Sequence, residues 1–187
     1  EVLGPLQITE QTTTPVRGRK RQELLAHLLE ARLSGRSEVS RLTLLDTLYP
    51  DEDEFKAGSS LKNVVHSLRE TFGDSAITTT ANGYALGSFS SDAEQFLQTG
   101  DTSLWRGGYL EGLDFSAEST VRDSLYMTLF DKAKALLEFD PKGVINTHPA
   151  VIEAAIGSFR SLGAREVAVA EGPGHRRHPV TQRLEVE

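Results

Sequence analysis

The sequence predicts a mainly α protein with a small β component, an α+β fold. Three segments between residues 19 and 72 carry apolar residues at helical spacing. A Thr-rich segment over residues 76–86 follows them, and its Asn82-Gly83 pair is a strong signal for a β-hairpin. Three helices followed by a hairpin is the order of a winged helix-turn-helix domain, which residues 1–88 are therefore expected to form.

The first elements are short. Residues 2–8 are expected to form a strand whose regularity Gly4-Pro5 interrupts, and residues 12–15 a turn or a second strand. Helix one then covers residues 19–33 and ends at Ser34-Gly35. Its apolar residues at helical spacing are Leu24, Leu25, Leu28, Leu29 and Leu33.

Helices two and three follow. Helix two begins at Ser40, a favourable N-cap residue, and Pro50 ends it. The acidic residues 51–54 are expected to be a solvated loop before helix three, which covers residues 57–72. Helix two is expected to bury Leu42, Leu45 and Leu48, and helix three to bury Leu61, Val64, Val65, Leu68 and Phe72, with Val64 toward the edge. The other face of helix three is polar, so it could enter a DNA groove.

Downstream of residue 88 the pattern changes. A short helix is predicted over residues 92–99, a Gly-broken connection over 105–110 and a longer helix over 120–139. The apolar positions of the longer helix are Val121, Leu125, Leu129, Ala133 and Leu136, and the aromatic residues expected to pack between the two halves are Trp105, Tyr109 and Phe115. Residues 89–140 are expected to be a partial helical extension and residues 141–187 a short α/β tail, with a helix over 151–162 and a strand over 166–170.

Composition limits the class of protein. The 187 residues include no cysteine, which excludes disulfides, zinc ribbons and cysteine-ligated iron–sulfur clusters. No apolar run reaches the roughly 18 residues that span a bilayer, and no signal-peptide pattern opens the chain. A cytoplasmic protein is expected.

The net charge of −7 opposes binding to nucleic acid, but the charge is uneven along the chain. Residues 17–41 contain seven positive and three negative side chains, a local charge of +4. The positive residues of this segment are Arg17, Arg19, Lys20, Arg21, Arg32, Arg36 and Arg41. DNA responds to the electrostatic field at the contact face, so a chain with a negative net charge can still bind DNA through a basic surface.

An ordered set of short motifs carries a family resemblance. They are Leu3-Gly4-Pro5-Leu6, Arg17-Gly18-Arg19-Lys20, the segment from Ser40 to Leu48, the segment from Leu61-Lys62-Asn63 to Leu68-Arg69, and Gly83-Tyr84-Ala85-Leu86. With these motifs, residues 2–88 resemble the OmpR-like winged helix at the N-terminus of bacterial transcriptional activator domain (BTAD) regulators. Residues 90–140 resemble the start of the tetratricopeptide-like (TPR-like) helical module of that family, through Trp105-Arg106-Gly107 and Leu110-Glu111-Gly112-Leu113. That module normally continues through several more helices, so here it is truncated.

The resemblance implies binding of double-stranded DNA, with helix three in the major groove and the hairpin as the wing. It implies contacts to phosphate or guanine for Lys62 and Arg69, and to an adenine edge for Asn63. Secondary contacts are implied for Ser59, Ser60 and His66, backbone contacts for Arg17, Arg19 and Lys20, and wing contacts for Thr79 and Asn82. RNA polymerase is the further partner that it implies. A homodimer is also expected as a partner, because the truncated helical region would leave apolar surface. The alternative for Lys62, His66 and Arg69 is that they only solvate an amphipathic helix.

Residues 139–178 resemble a fragment of an unrelated, uncharacterised α/β family, some of whose members carry iron–sulfur centres. The similarity lies in Asn146-Thr147-His148-Pro149-Ala150-Val151, in Gly163-Ala164-Arg165-Glu166-Val167 and in the Gly-Pro-Gly segment after Glu171. Because the chain has no cysteine, this second resemblance implies no iron–sulfur cofactor here. The two unrelated resemblances meet near Pro141, which indicates a fusion or a chimera.

Two other classes of function compete with DNA binding. An enzyme would have to use the loop over residues 171–178 to hold an anion, or His148, His175 and His178 to hold a metal, and neither pattern is complete. We therefore expect no enzyme, no cofactor and no metal. A protein-interaction or dimerisation module on a winged-helix scaffold, without DNA binding, is the alternative that the net charge favours.

Overall fold

The computed structural model describes residues 1–9, 13–113 and 119–139, and these residues form both helices and strands, as an α+β protein should. The helices are α1 (Arg19–Leu33), α2 (Arg41–Leu48), α3 (Glu54–Phe72), α4 (Asp92–Thr99) and α5 (Thr120–Phe139). The strands are β1 (Gly4–Pro5), β2 (Gln7–Thr9), β3 (Thr13–Pro15), β4 (Val39–Ser40), β5 (Ile77–Thr79), β6 (Gly83–Leu86) and β7 (Tyr109–Glu111). The predictions for Phe115 and for residues 140–187 lie outside the described residues.

Helix α2 begins where the sequence indicates but turns a different side to the core. The Ser40 hydroxyl caps it by accepting from the Thr43 amide at 3.0 Å. The expected burial of Leu42 is wrong, because 61% of Leu42 is exposed and Leu44 is buried instead. At about 100° per residue, Leu42 lies roughly 110° from the centre of the stripe that packs inward, so it falls outside that stripe. That stripe consists of Leu44, Leu45 and Leu48.

Helix α3 begins three residues earlier than predicted. Asp53 is its N-cap, with Oδ1 accepting from the Lys56 amide at 3.0 Å, and Glu54 lies in the first turn. The end of the acidic run therefore caps a helix rather than forming only a solvated loop, since carboxylates are favourable at a helix N-terminus. The buried residues of α3 are Ala57, Gly58, Leu61, Val65 and Leu68, while Val64 and Phe72 are half-buried.

The predicted hairpin forms, but its glycine has another role. Strands β5 and β6 pair antiparallel with Thr79 opposite Tyr84, so the connection spans residues 80–82. Strand β4, which the sequence does not predict, pairs with the other edge of β6. A Cβ atom on Gly83 would lie 2.0 Å from the Val39 carbonyl oxygen. Gly83 is thus required by the close approach of β4 rather than by a two-residue turn.

The N-terminal segment holds two strands instead of one. Strand β1 pairs in parallel with β7, and β2 pairs antiparallel with β3, so the second-strand alternative for this segment is confirmed for Thr13–Pro15. Strand β7 lies in the segment predicted as a Gly-broken connection. Such short strands carry no periodicity of their own and depend on partners distant in sequence.

A continuous hydrophobic core joins residues 1–88 to the helical segment after them. Trp105 is buried as predicted, with its ring 5.5 Å from Phe96 in an edge-to-face contact and 5.3 Å from Tyr126. Tyr109 is buried too, and the inward positions of α5 include Val121, Leu125 and Leu129. The side chains of Ala133 and Leu136 lie outside the described residues. The domain boundary at residue 88 stays a prediction.

Polar contacts reinforce this junction. The buried Asp92 carboxylate accepts from the amides of Val2 (2.7 Å) and Leu3 (3.1 Å), and from Arg106 Nη2 (2.8 Å). Glu30 of α1 accepts from the Tyr109 hydroxyl at 3.1 Å. Burial and the neighbouring Glu30 carboxylate raise the pKa of Tyr109, so it remains a neutral donor.

One consequence of the packing around α1 is a pH-dependent stability. Burial lowers the pKa of His27; the Glu23 carboxylate opposes that shift, and Arg36 adds to it. As the pH falls below the ordinary pKa of 6.5, the unfolded chain therefore binds a proton more readily than the folded one. The free energy of unfolding should decrease as the pH is lowered through this range. Chemical unfolding of the parent and of His27→Gln between pH 7.5 and 5.5 should give a shallower pH slope for the variant. Equal pH slopes for the parent and His27→Gln would contradict the inference that His27 has a lowered pKa in the folded protein.

Candidate nucleic-acid interface

The outer face of α3 is built by the burial of its opposite side. With 19 residues, α3 extends over about 28 Å, long enough to follow a DNA groove. Its exposed polar residues repeat at three- and four-residue spacing, so they share one side. These residues are Lys56, Ser59, Lys62, Asn63, His66 and Glu70, while Ser60 is half-buried at the edge.

Two side chains at the middle of this face have unused hydrogen-bonding capacity. Lys62 and Asn63 are both exposed, and neither makes a hydrogen bond or ion pair within the described part of the chain. A lysine ammonium offers three donors, and an asparagine amide offers a donor beside an acceptor. These two predicted residues are therefore the ones most available to a ligand.

The other polar residues of α3 have local partners. His66 Nε2 lies 3.3 Å from Glu70 Oε1, and both side chains are largely exposed. The Ser59 hydroxyl donates to the Phe55 carbonyl at 3.1 Å. Since these contacts are on the surface, they are easily exchanged for others.

Arg69 and Thr79 are brought together, but in a contact internal to the protein. Arg69 donates to the Ile77 carbonyl from Nε (3.0 Å) and Nη2 (2.6 Å), and to Thr79 Oγ1 from Nη2 (2.8 Å). These bonds fasten the end of α3 to strand β5. Arg69 thus positions the hairpin against the helix, and it donates three hydrogen bonds within the protein.

Of the three basic residues predicted to contact the DNA backbone near the start of α1, two also have partners within the protein. Lys20 Nζ donates to the Leu48 carbonyl (2.5 Å) and to Glu23 Oε2 (2.9 Å), which ties α1 to the end of α2. Arg19 Nε lies 2.6 Å from Glu23 Oε1. Burial raises the pKa of Glu23, but the hydrogen bonds from Lys20 and Arg19 hold it below its ordinary value. Arg17 is exposed.

The tip of the hairpin is held by the segment before α2. Asn82 Nδ2 donates to Glu38 Oε1 at 3.1 Å, and the Asn82 carbonyl accepts from the Arg41 amide at 2.9 Å. Hydrogen bonds from Thr80 and Asn82 hold the pKa of Glu38 below its ordinary value. Asn82 is therefore held by internal contacts, although the residue is exposed.

Arg41 is a candidate that the sequence analysis did not single out. Its guanidinium lies against Gly58 of α3, where an added Cβ atom would come within 2.3 Å of Arg41 Nη2. Gly58 lies one turn before Lys62, so a cation from α2 reaches the edge of the α3 face. Gly58 itself is the available signal, because a glycine inside a helix costs about 1 kcal/mol relative to alanine and often marks close packing.

Comparison with known proteins finds no match, either to a family model or to a curated protein. In the described ranges, no helix combines the length and the apolar character needed to cross a membrane. The same residues contain no cluster of three acidic, histidine or cysteine side chains arranged to hold a metal ion.

Proposed function

We propose that the N-terminal region is a winged helix-turn-helix domain that binds double-stranded DNA as part of a bacterial transcription regulator. The observation that carries the proposal is the outer face of α3, where Lys62 and Asn63 are exposed and have no side-chain partner among the residues that the structure describes. The opposite face is fixed by burial against α1 and α2. A helix held in this way fits the major groove, which is about 12 Å wide.

The surrounding residues support this orientation. Arg41 adds a second cation beside the α3 face, and exposed Arg17 precedes α1. Cations at these positions would neutralise phosphates, while Asn63 would read a base edge. Arg69 would act by positioning the hairpin, which would serve as the wing. The proposal includes no catalysis, cofactor or metal, and it places the protein in the cytoplasm.

A second candidate function is supported by exposed apolar side chains. Leu42 and Phe55, near the N-terminal ends of α2 and α3, are 61% and 86% exposed, and Met127 of α5 is 61% exposed. Aromatic residues and Met are enriched at protein interfaces. They favour a protein-interaction module, with a second copy of the chain or RNA polymerase as the partner, in place of DNA binding or beside it.

The test is selection of random-sequence duplex DNA by the full chain, across a range of salt concentrations and with sequencing of the bound fraction. The proposal expects retention that falls with salt and enriches a short motif, because phosphate contacts release counterions and base contacts select sequence. No retention even at low salt would overturn it. In that case a concentration-dependent mass in sedimentation would support the interaction module.

A further inference from the structure

A cleft of about 670 Å³ lies between the N-terminal strands, α1 and α4, on a part of the molecule separate from the α3 face. Its lining comes from β2, from α1, from the segment after β6 and from α4. A volume of this size is within the range of pockets that hold small molecules. None of the residues proposed to contact DNA lines it.

The cleft has both apolar and polar walls, since eight of its lining residues are aliphatic or aromatic and eleven are polar or charged. Residues from β2, α1 and the end of β6 contribute side chains that are buried or half-buried. The apolar lining includes Leu6, Ile8, Leu25, Leu29, Leu86 and Phe89. A ligand with an apolar body would therefore remove apolar surface from water on entering.

The charged groups in the cleft are already paired with one another. Arg32 Nε lies 2.9 Å from Glu94 Oε1, and Arg106 lies 2.8 Å from Asp92 Oδ2 and 2.6 Å from Glu1 Oε1. Arg32 also donates to the carbonyls of Gly87 and Phe89. An ionic ligand would have to break one of these pairs, whereas an uncharged ligand would leave them intact.

Two amide side chains at the rim remain available. Gln95 and Gln98 are exposed on α4, and their spacing of three residues places them on one side of the helix. Neither side chain makes a hydrogen bond to another residue that the structure describes. Each offers both a donor and an acceptor to a molecule in the cleft.

We propose that this cleft is a binding site for an uncharged small molecule with an apolar body and a hydrogen-bonding group. The apolar walls take the body, and the amides of Gln95 and Gln98 take the polar group. This site does not depend on the proposed DNA binding.

The probe for the test is N-phenyl-1-naphthylamine, an uncharged apolar fluorophore with one N–H donor, titrated into the full chain. Saturable binding of one molecule per chain is expected. Trp105 is the single tryptophan of the sequence, and its neighbours Leu104 and Arg106 line the cleft. Excitation of Trp105 should therefore produce probe emission through energy transfer. Binding that does not saturate, or saturates without energy transfer, would overturn the proposal.

Variants then locate the site. Ser90→Phe and Gln95→Phe each add volume at an exposed lining position, and each should weaken probe binding by about tenfold, since the added ring takes up space that the probe would occupy. Ser88→Phe makes the same Ser-to-Phe change at an exposed position outside the lining and should bind like the parent. Unchanged binding by both lining variants, or equal loss in Ser88→Phe, would overturn the assignment.

Discussion

Lys62→Ala is expected to weaken binding to duplex DNA by about tenfold near 0.1 M salt and to reduce the slope of log affinity against log salt by about 0.9. Lys62 is exposed in the middle of α3 and has no internal partner among the described residues, so its loss should leave the fold unchanged. The change in slope follows from the loss of one phosphate contact and its released counterion. Fluorescence anisotropy with the selected duplex, measured at several salt concentrations, gives both quantities.

The control for this prediction is Lys132→Ala, which removes the same charge from an exposed position on α5. It should leave the salt slope unchanged, because only charges at the contact face release counterions. Arg69→Ala is unsuitable as a control, since it also removes the hydrogen bonds to Ile77 and Thr79. Equal affinities and slopes for the parent and Lys62→Ala would remove Lys62 from the interface.

Asp92→Asn is expected to lower the free energy of unfolding by about 3 kcal/mol, because it breaks a buried, hydrogen-bonded ion pair. The Asp92 side chain is 6% exposed and accepts from three backbone amides as well as from Arg106. An asparagine at this position must turn an N–H₂ group toward at least one of those donors. Urea unfolding followed by circular dichroism measures the difference.

Asp123→Asn is the matched control, since Asp123 is 69% exposed and lies 3.7 Å from Arg122. It should change the free energy of unfolding by less than about 0.5 kcal/mol, as surface ion pairs usually do. A similar small change in Asp92→Asn would mean that the junction between the N-terminal strands and α4 does not depend on this carboxylate.

Local patterns in the sequence were sufficient to predict the five α-helices and the hairpin of the described residues. The leucine spacing of α1, the Ser40 cap of α2 and the β-branched residues around Asn82-Gly83 each act within a few residues, so they can be recognised without knowing the fold. The exposure of Lys62 and Asn63 follows in the same way, because both lie outside the buried stripe of Leu61, Val65 and Leu68 on one helix.

Tertiary structure decided which local possibilities were used. Strands β4 and β7 form only because distant partners lie beside them, and two or three residues carry no pattern of their own. Leu42 is exposed because the stripe of this short helix that packs inward does not include it.

The candidate site divides in the same way. The amino-acid sequence by itself determined that one side of α3 would be polar and cationic. It could not show that Lys20 and Arg69 hold elements together, or that Arg41 reaches across to Gly58, since each of those contacts joins two different elements of the fold. The periodicity of one helix is a local property of its residues, but the partner of a long flexible side chain depends on how the whole chain packs.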